Sequence, residues 1–209
     1  MEFLLIVMGY GIGLLQSAYI VGRMAGKIDI RDHGSGNAGM TNVMRVMGAK
    51  AGIFVLLLDV SKAVLAVMLA NLIFHGRPFG MTGIEYFPGL LAGLGVILGH
   101  NFPFYLKFKG GKGVASSLGV VIMFDWRVLV IALGVGLIVL IITKYMSLGS
   151  LLAFLTLGTT TTILFDQIAV IAVMWLICAL PFYTHRHNIV RLAKGSENKF
   201  TLKRKTNSS

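Results

Sequence analysis

The sequence predicts an all-α integral membrane protein of about seven transmembrane helices. Two observations carry that reading. Of its 209 residues 56% are hydrophobic and only 13% are charged, against about a quarter charged in a soluble domain. The apolar residues also fall in blocks long enough to cross roughly 30 Å of hydrocarbon, which takes about 20 helical residues.

Between polar breaks the apolar runs cover 3–24, 51–74, 85–105, 113–124, 127–143, 148–165 and 167–184, each read as a span because lipid leaves no other partner for backbone amides. The fourth run is short and reads as tilted, shallow or not fully spanning. No basic region precedes the first run and no cleavage pattern follows it, so it reads as a retained span. With the N-terminus outside, the external loops hold only Arg77 and Arg127, and Lys62 lies within the second span. The other sixteen of the nineteen basic residues then fall in cytoplasmic loops, at inner helix ends or in the tail, as the bias of Lys and Arg toward the inside requires. An odd number of spans puts the C-terminus in the cytoplasm.

The short loops leave room for one polytopic domain over residues 1–197. Residues 198–209 form a basic tail whose Lys199, Lys203, Arg204 and Lys205 suit anionic headgroups. Thr206 to Ser209 read as an expression remnant. The net charge of +11 follows this topology, so nucleic acid is not an expected partner. The single Cys178 cannot form an internal disulfide or a Cys-rich zinc site and reads as a small buried hydrophobe.

Three polar segments collect on the cytoplasmic side. The first runs from Gly34 to Arg45 as GSGNAGMTNVMR. Gly34, Gly36 and Gly39 match the spacing of a dinucleotide fingerprint, but that motif needs a preceding strand and a membrane helix precedes it here. What survives is physical: glycines let backbone N–H groups converge on an anion, Thr41 or Asn42 can cap the next helix, and Arg45 offers a fork of donors to phosphate. The second runs from Gly99 to Ala115 as GHNFPFYLKFKGGKGVA. It is not a P-loop, because Gly113 follows Lys112 and Leu106 stands where the first glycine belongs. Positive-inside anchoring explains Lys109 and Lys112 but not Gly110, Gly111 and Gly113 among them, which favours anion binding. The third is split. Lys144-Tyr145-Met146-Ser147 opens one inner loop, and His185, Asn188 and Arg191 follow the last span at a three-residue spacing that makes them neighbours on a helix. Within the second span Asp59 and Lys62 are three apart and read as a structural ion pair, since charges at this depth are costly and face the bundle interior.

The whole chain holds eight acidic residues, of which only Asp29 and Asp32 lie near the first segment and none in the second. A hard cation needs several oxygen ligands, so no metal is expected, and no cofactor. The residues describe a pocket for one or two phosphates opening beside lipid, suited to joining a soluble phosphate to an acyl chain. Lys, Arg and loop N–H donors can stabilise the oxyanion of acyl transfer, and there is no nucleophile elbow. A transporter of phosphorylated anions would use the same cations but near the midplane, with access from both sides. A lipid-binding scaffold would not need converging glycines.

The three segments together, with Gly195 and Glu197 beyond, resemble the PlsY family of membrane glycerol-3-phosphate acyltransferases that use acyl phosphate, and the intervening spans fit that family's layout. The resemblance implies attack of the sn-1 hydroxyl of glycerol 3-phosphate on a long-chain acyl phosphate in the bacterial cytoplasmic membrane, giving 1-acyl-glycerol 3-phosphate and inorganic phosphate. It implies that Ser35, Asn37, Thr41, Asn42, Arg45, Lys109 and Lys112 handle phosphate groups, with Ser147, His185 and Asn188 completing the pocket. Arg45, Lys112, Ser35 and His185 are the catalytic candidates. Two routes for the proton stay open: His185, which can titrate near neutral pH, or a substrate phosphate oxygen, the favoured one. No histidine is followed five residues later by Asp, the pattern of the unrelated acyltransferases that use acyl-CoA or acyl carrier protein.

Overall fold

The computed structural model describes residues 1–80 and 82–200. Lys203, Arg204, Lys205 and the segment 206–209 lie outside the described residues. Ten α-helices and no strand occur among the described residues: α1 (Glu2–Gly13), α2 (Ser17–Gly26), α3 (Met40–Met47), α4 (Ala49–His75), α5 (Tyr86–Asn101), α6 (Val114–Phe124), α7 (Trp126–Thr143), α8 (Met146–Leu164), α9 (Ile168–Thr184) and α10 (Arg186–Ala193).

Each of the seven apolar runs is helical, but they are not equal as spans. Five are long and apolar enough to cross: α1 with α2 (Glu2–Gly26), α4, α5 with its flanking turns (Gly83–Leu106), α7 and α8. A sixth is the broken pair α9 and α10, bent by 60°. The seventh, α6, has 11 residues and reaches only about 16 Å, so it does not cross on its own. The sequence boundary between α5 and α7 was visible, but Gly113 and Asp125 cap α6 too close together for a full crossing.

α5 is the axis of the bundle, with 78% of its span buried against 17% for α7 at the periphery. Gly9 and Gly13 of α1 face Gly95 and Gly99 of α5, and a Cβ at any of the four would overlap a carbonyl oxygen of the opposite helix. Small residues four apart allow this close backbone approach, which is how helices associate where lipid supplies no hydrophobic drive. α4 and α6 pack on another side of α5, α9 on a third, and α8 pairs with α7. Val96, Ile97, Val128, Met174 and Ile177 fill the core between them.

Helix ends place the polar segments. The chain breaks between α1 and α2 at Gln16, which is fully buried and donates from Nε2 to the carbonyls of Gly99 and His100 at 3.2 and 3.0 Å. That amide clamps the α1–α2 break onto the end of α5. Asp125 caps α7 by accepting from the N–H of Arg127 at 2.8 Å. His185 ends α9 and starts α10, and the 60° bend there carries Asn188 and Arg191 across to the start of α8 and Glu197.

Candidate active site

The loops before α3 and α6, the start of α8 and the α9–α10 corner surround one cavity of about 710 Å³. All the candidate positions named above line it except Gly34, which packs instead against the Asn42 side chain.

The first loop is held from within. Asn42 is buried; its Oδ1 accepts from the Ser35 N–H at 2.8 Å, and its Nδ2 donates to the carbonyls of Ile30 and His33 at 3.0 and 2.9 Å. Its amide braces the loop rather than offering itself to phosphate. α3 is capped by Gly39, not by Thr41 or Asn42, which lie inside the first turn. The N–H groups of Met40 and Thr41 have no partner among the described residues, and a helix N-terminus with such groups favours an anion. Arg45, one turn beyond Thr41, is exposed and unpaired among the described residues. Arg31, held by Asp29 at 2.7 Å, donates to the carbonyl of Leu106 at 3.2 Å and fastens this loop to the next.

The second loop corrects the reading of its glycines. The N–H of Gly110 is spent on the carbonyl of Asn101 at 3.2 Å and that of Gly111 on His100 at 3.0 Å. A Cβ at Gly110 would overlap the His100 carbonyl, and one at Gly111 the His100 imidazole. These glycines serve close packing on the end of α5; the anion-binding charge comes from the side chains beside them. Gly113 starts α6 at φ +83, a conformation open to glycine at no steric cost.

Lys112 joins the second loop to the third segment. Its Nζ donates to Asn188 Oδ1 at 2.5 Å, and its carbonyl accepts from Thr184 Oγ1 at 3.1 Å. Glu197, a carboxylate not assigned to the pocket from the sequence, accepts from Asn188 Nδ2 at 2.6 Å, Arg191 Nε at 2.7 Å and Ser147 Oγ at 2.9 Å. Its signal in the sequence was slight: a lone acid just past the Asn188–Arg191 stripe. Asn198 and Phe200 continue along the cavity mouth, with the Phe200 N–H donating to the Lys144 carbonyl at 2.7 Å. Lys109 is exposed at the rim.

The electrostatics are those of a cationic pocket. Burial pushes Lys112 down to about 8; Glu197 opposes the shift, and Arg191 and Arg45 add to it. His185 is buried at the α9–α10 corner. Its Nδ1 lies 2.8 Å from the Pro181 carbonyl, which can only accept. Nδ1 therefore carries the proton and Nε2 is left as an acceptor.

Away from this polar end the cavity turns apolar. Leu118 and Val121 of α6, Leu129 and Leu133 of α7, and Phe154 and Leu157 of α8 line it. Leu157 lies eleven residues beyond the start of α8, so the limb runs about 16 Å along the helix.

The cavity thus joins a cationic end to an apolar limb. The model of the glycerol-3-phosphate acyltransferase family matches residues 3–195. The chain belongs to that family, the PlsY-type acyltransferases. The glycerol-3-phosphate acyltransferase of Thermoanaerobacter pseudethanolicus is 41% identical over 94% of both chains, and that of Halalkalibacterium halodurans 38% identical over 98% of both. A crystal structure of PlsY, an integral membrane glycerol 3-phosphate acyltransferase in its glycerol 3-phosphate form, superposes with a TM-score of 0.85 at 33% identity and 96% coverage of each chain. Its lysophosphatidic acid form gives 0.83 at 32% identity, again over 96% of each chain. The acyltransferase is thus a multi-pass membrane enzyme.

Proposed function

We infer that the enzyme transfers a long-chain acyl group from acyl phosphate to the sn-1 hydroxyl of glycerol 3-phosphate. The observation that carries this reading is the continuity of one cavity from Lys112 and Arg45 to the apolar limb along α8. An acyl phosphate laid with its chain in the limb brings its mixed anhydride to the cations, next to the first turn of α3. Arg45, Ser35 and that turn then receive the phosphate of the acceptor. The hydroxyl attacks the carbonyl, Lys112 stabilises the developing oxyanion and the departing phosphate, and the ester forms as inorganic phosphate leaves. The donor is already activated, so no covalent enzyme intermediate is needed. The cavity mouth opens at the cytoplasmic face of a bacterial inner membrane, with the N-terminus outside, because that orientation gathers the basic residues inside. Lys199 is exposed and suits anionic lipid headgroups. Palmitoyl phosphate should support acylation of glycerol 3-phosphate by the purified protein, and palmitoyl-CoA should not; the reverse preference would overturn the choice of donor.

The proton goes to a substrate phosphate oxygen. His185 Nδ1 donates to the Pro181 carbonyl, which leaves Nε2 to hold the hydroxyl, while a phosphate monoester, with its second pKa of about 6, can take the proton. Nε2 of His185 accepts from the attacking hydroxyl and orients it. The pH dependence of kcat/KM should therefore show an acid limb near 6 that survives in His185→Asn, with the rate lower by about 10–100-fold. Loss of the acid limb in that variant would make His185 the base. On the alkaline side Lys112 loses its charge as pH rises through about 8, so kcat/KM falls there, and Lys112→Arg, which stays charged, should lack that limb.

A further inference from the structure

Beneath the second loop lies a buried charged cluster that the chemistry above does not use. Asp59 and Lys62 sit in the interior of α4 and His100 in the last turn of α5, with relative exposures of 1%, 6% and 3%. Lys62 Nζ has three donors and three acceptors within reach: the Leu15 carbonyl at 2.6 Å, Asp59 Oδ1 at 2.8 Å and His100 Nδ1 at 3.0 Å. Ser17 Oγ donates to the same Asp59 oxygen at 2.8 Å. An ammonium has no lone pair, so it donates to Nδ1 and the proton of the neutral imidazole sits on Nε2. That edge of the ring is the surface on which Gly111 packs, and the carbonyls of His100 and Asn101 hold the N–H groups of Gly111 and Gly110. Lys112 is the next residue.

A bundle of apolar helices has no need of this cluster for cohesion. Burying a charge pair costs desolvation that its attraction seldom exceeds, and apolar replacements of similar volume are often as stable. Its members instead join the α1–α2 break, α4, the end of α5 and the loop that carries Lys112. We propose that Asp59, Lys62 and His100 are positioning residues for acyl transfer: Lys62, neutralised by Asp59, fixes the tautomer and pose of His100, and His100 seats the Gly110–Gly111 loop so that Lys112 Nζ meets the reacting phosphate and carbonyl. Asp59 and His100 also reach the wall of the cavity; in this scheme their part is to hold the loop, and none of the three touches substrate. A displacement of about 1 Å at the chemistry, transmitted from outside the site, costs on the order of 100-fold in rate.

The proposal rests on the assigned role of Lys112, and the test separates the two. Acylation of glycerol 3-phosphate from palmitoyl phosphate is compared in the parent protein, the double variant Asp59→Leu/Lys62→Met and the single variant His100→Asn. The double variant removes both charges at once and leaves no lone buried ion. His100→Asn keeps an acceptor close to the Nδ1 position but removes the ring edge under Gly111. For both, kcat per folded molecule should fall about 10–100-fold, with KM for glycerol 3-phosphate changed less than about threefold and thermal unfolding close to that of the parent. His100→Asn decides alone if the double variant does not fold. A parent-like kcat in either folded variant, or a loss confined to KM, overturns the proposal. An inactive parent with palmitoyl phosphate would instead overturn the donor assignment.

Discussion

Replacing Lys112 by alanine is expected to lower turnover by about 10³-fold with the helical fold intact. Lys112 is the cation at the centre of the cavity, bonded to Asn188 Oδ1 and held through its carbonyl by Thr184. Removing one preorganised donor from a developing oxyanion costs about 10²–10³ in rate, and Lys112 also faces the departing phosphate. The fold should tolerate the change. Asn188 keeps Glu197 on its Nδ2, so the loss is one hydrogen bond, about 1–3 kcal/mol. Product formation measured by mass spectrometry beside a circular-dichroism melt checks both halves. A folded Lys112→Ala enzyme within tenfold of the parent would remove Lys112 from the chemistry.

Arg45→Ala should act differently, chiefly on the acceptor. Arg45 lies on the rim, exposed and unpaired among the described residues, one turn beyond the unpartnered N–H groups of Met40 and Thr41. Its removal leaves no buried group orphaned, so stability should stay within about 0.5 kcal/mol. Losing charge-assisted bonds worth about 1.5–3 kcal/mol corresponds to roughly 10–150-fold in kcat/KM, mostly as a higher KM for glycerol 3-phosphate. Saturation curves in glycerol 3-phosphate at fixed palmitoyl phosphate measure it. An unchanged KM would move the acceptor phosphate away from α3.

The apolar blocks fell on helices to within a few residues, the first of them on two helices broken at Gln16, because helix is the only open-ended structure lipid tolerates. They did not give the depth of α6, since hydropathy reports what surrounds a residue and not where a cap falls. The polar segments held most of the polar residues at the cavity, because Lys, Arg, Asn and glycine stand out against an apolar background. Their individual duties were less visible. Gly110 and Gly111 were read as anion-binding backbone, and the structure turns their N–H groups toward α5. Asn42 looked like a substrate contact and is a brace for its own loop. Both misreadings have one cause: local sequence shows that an atom can donate, while only tertiary packing shows to whom. Glu197 and His100 were obscure for the same reason, since Glu197 is fixed by Ser147 as well as by nearby Asn188 and Arg191, and His100 by Lys62 of another helix.

The identity of the donor is tested most directly by the stoichiometry of phosphate release. Purified protein in lipid nanodiscs, given palmitoyl phosphate and glycerol 3-phosphate with no CoA or added metal, should release one inorganic phosphate for each 1-palmitoyl-glycerol 3-phosphate formed. It should release almost none when glycerol 3-phosphate is left out. Product formation without matching phosphate, or release that ignores glycerol 3-phosphate in a folded sample, would contradict it.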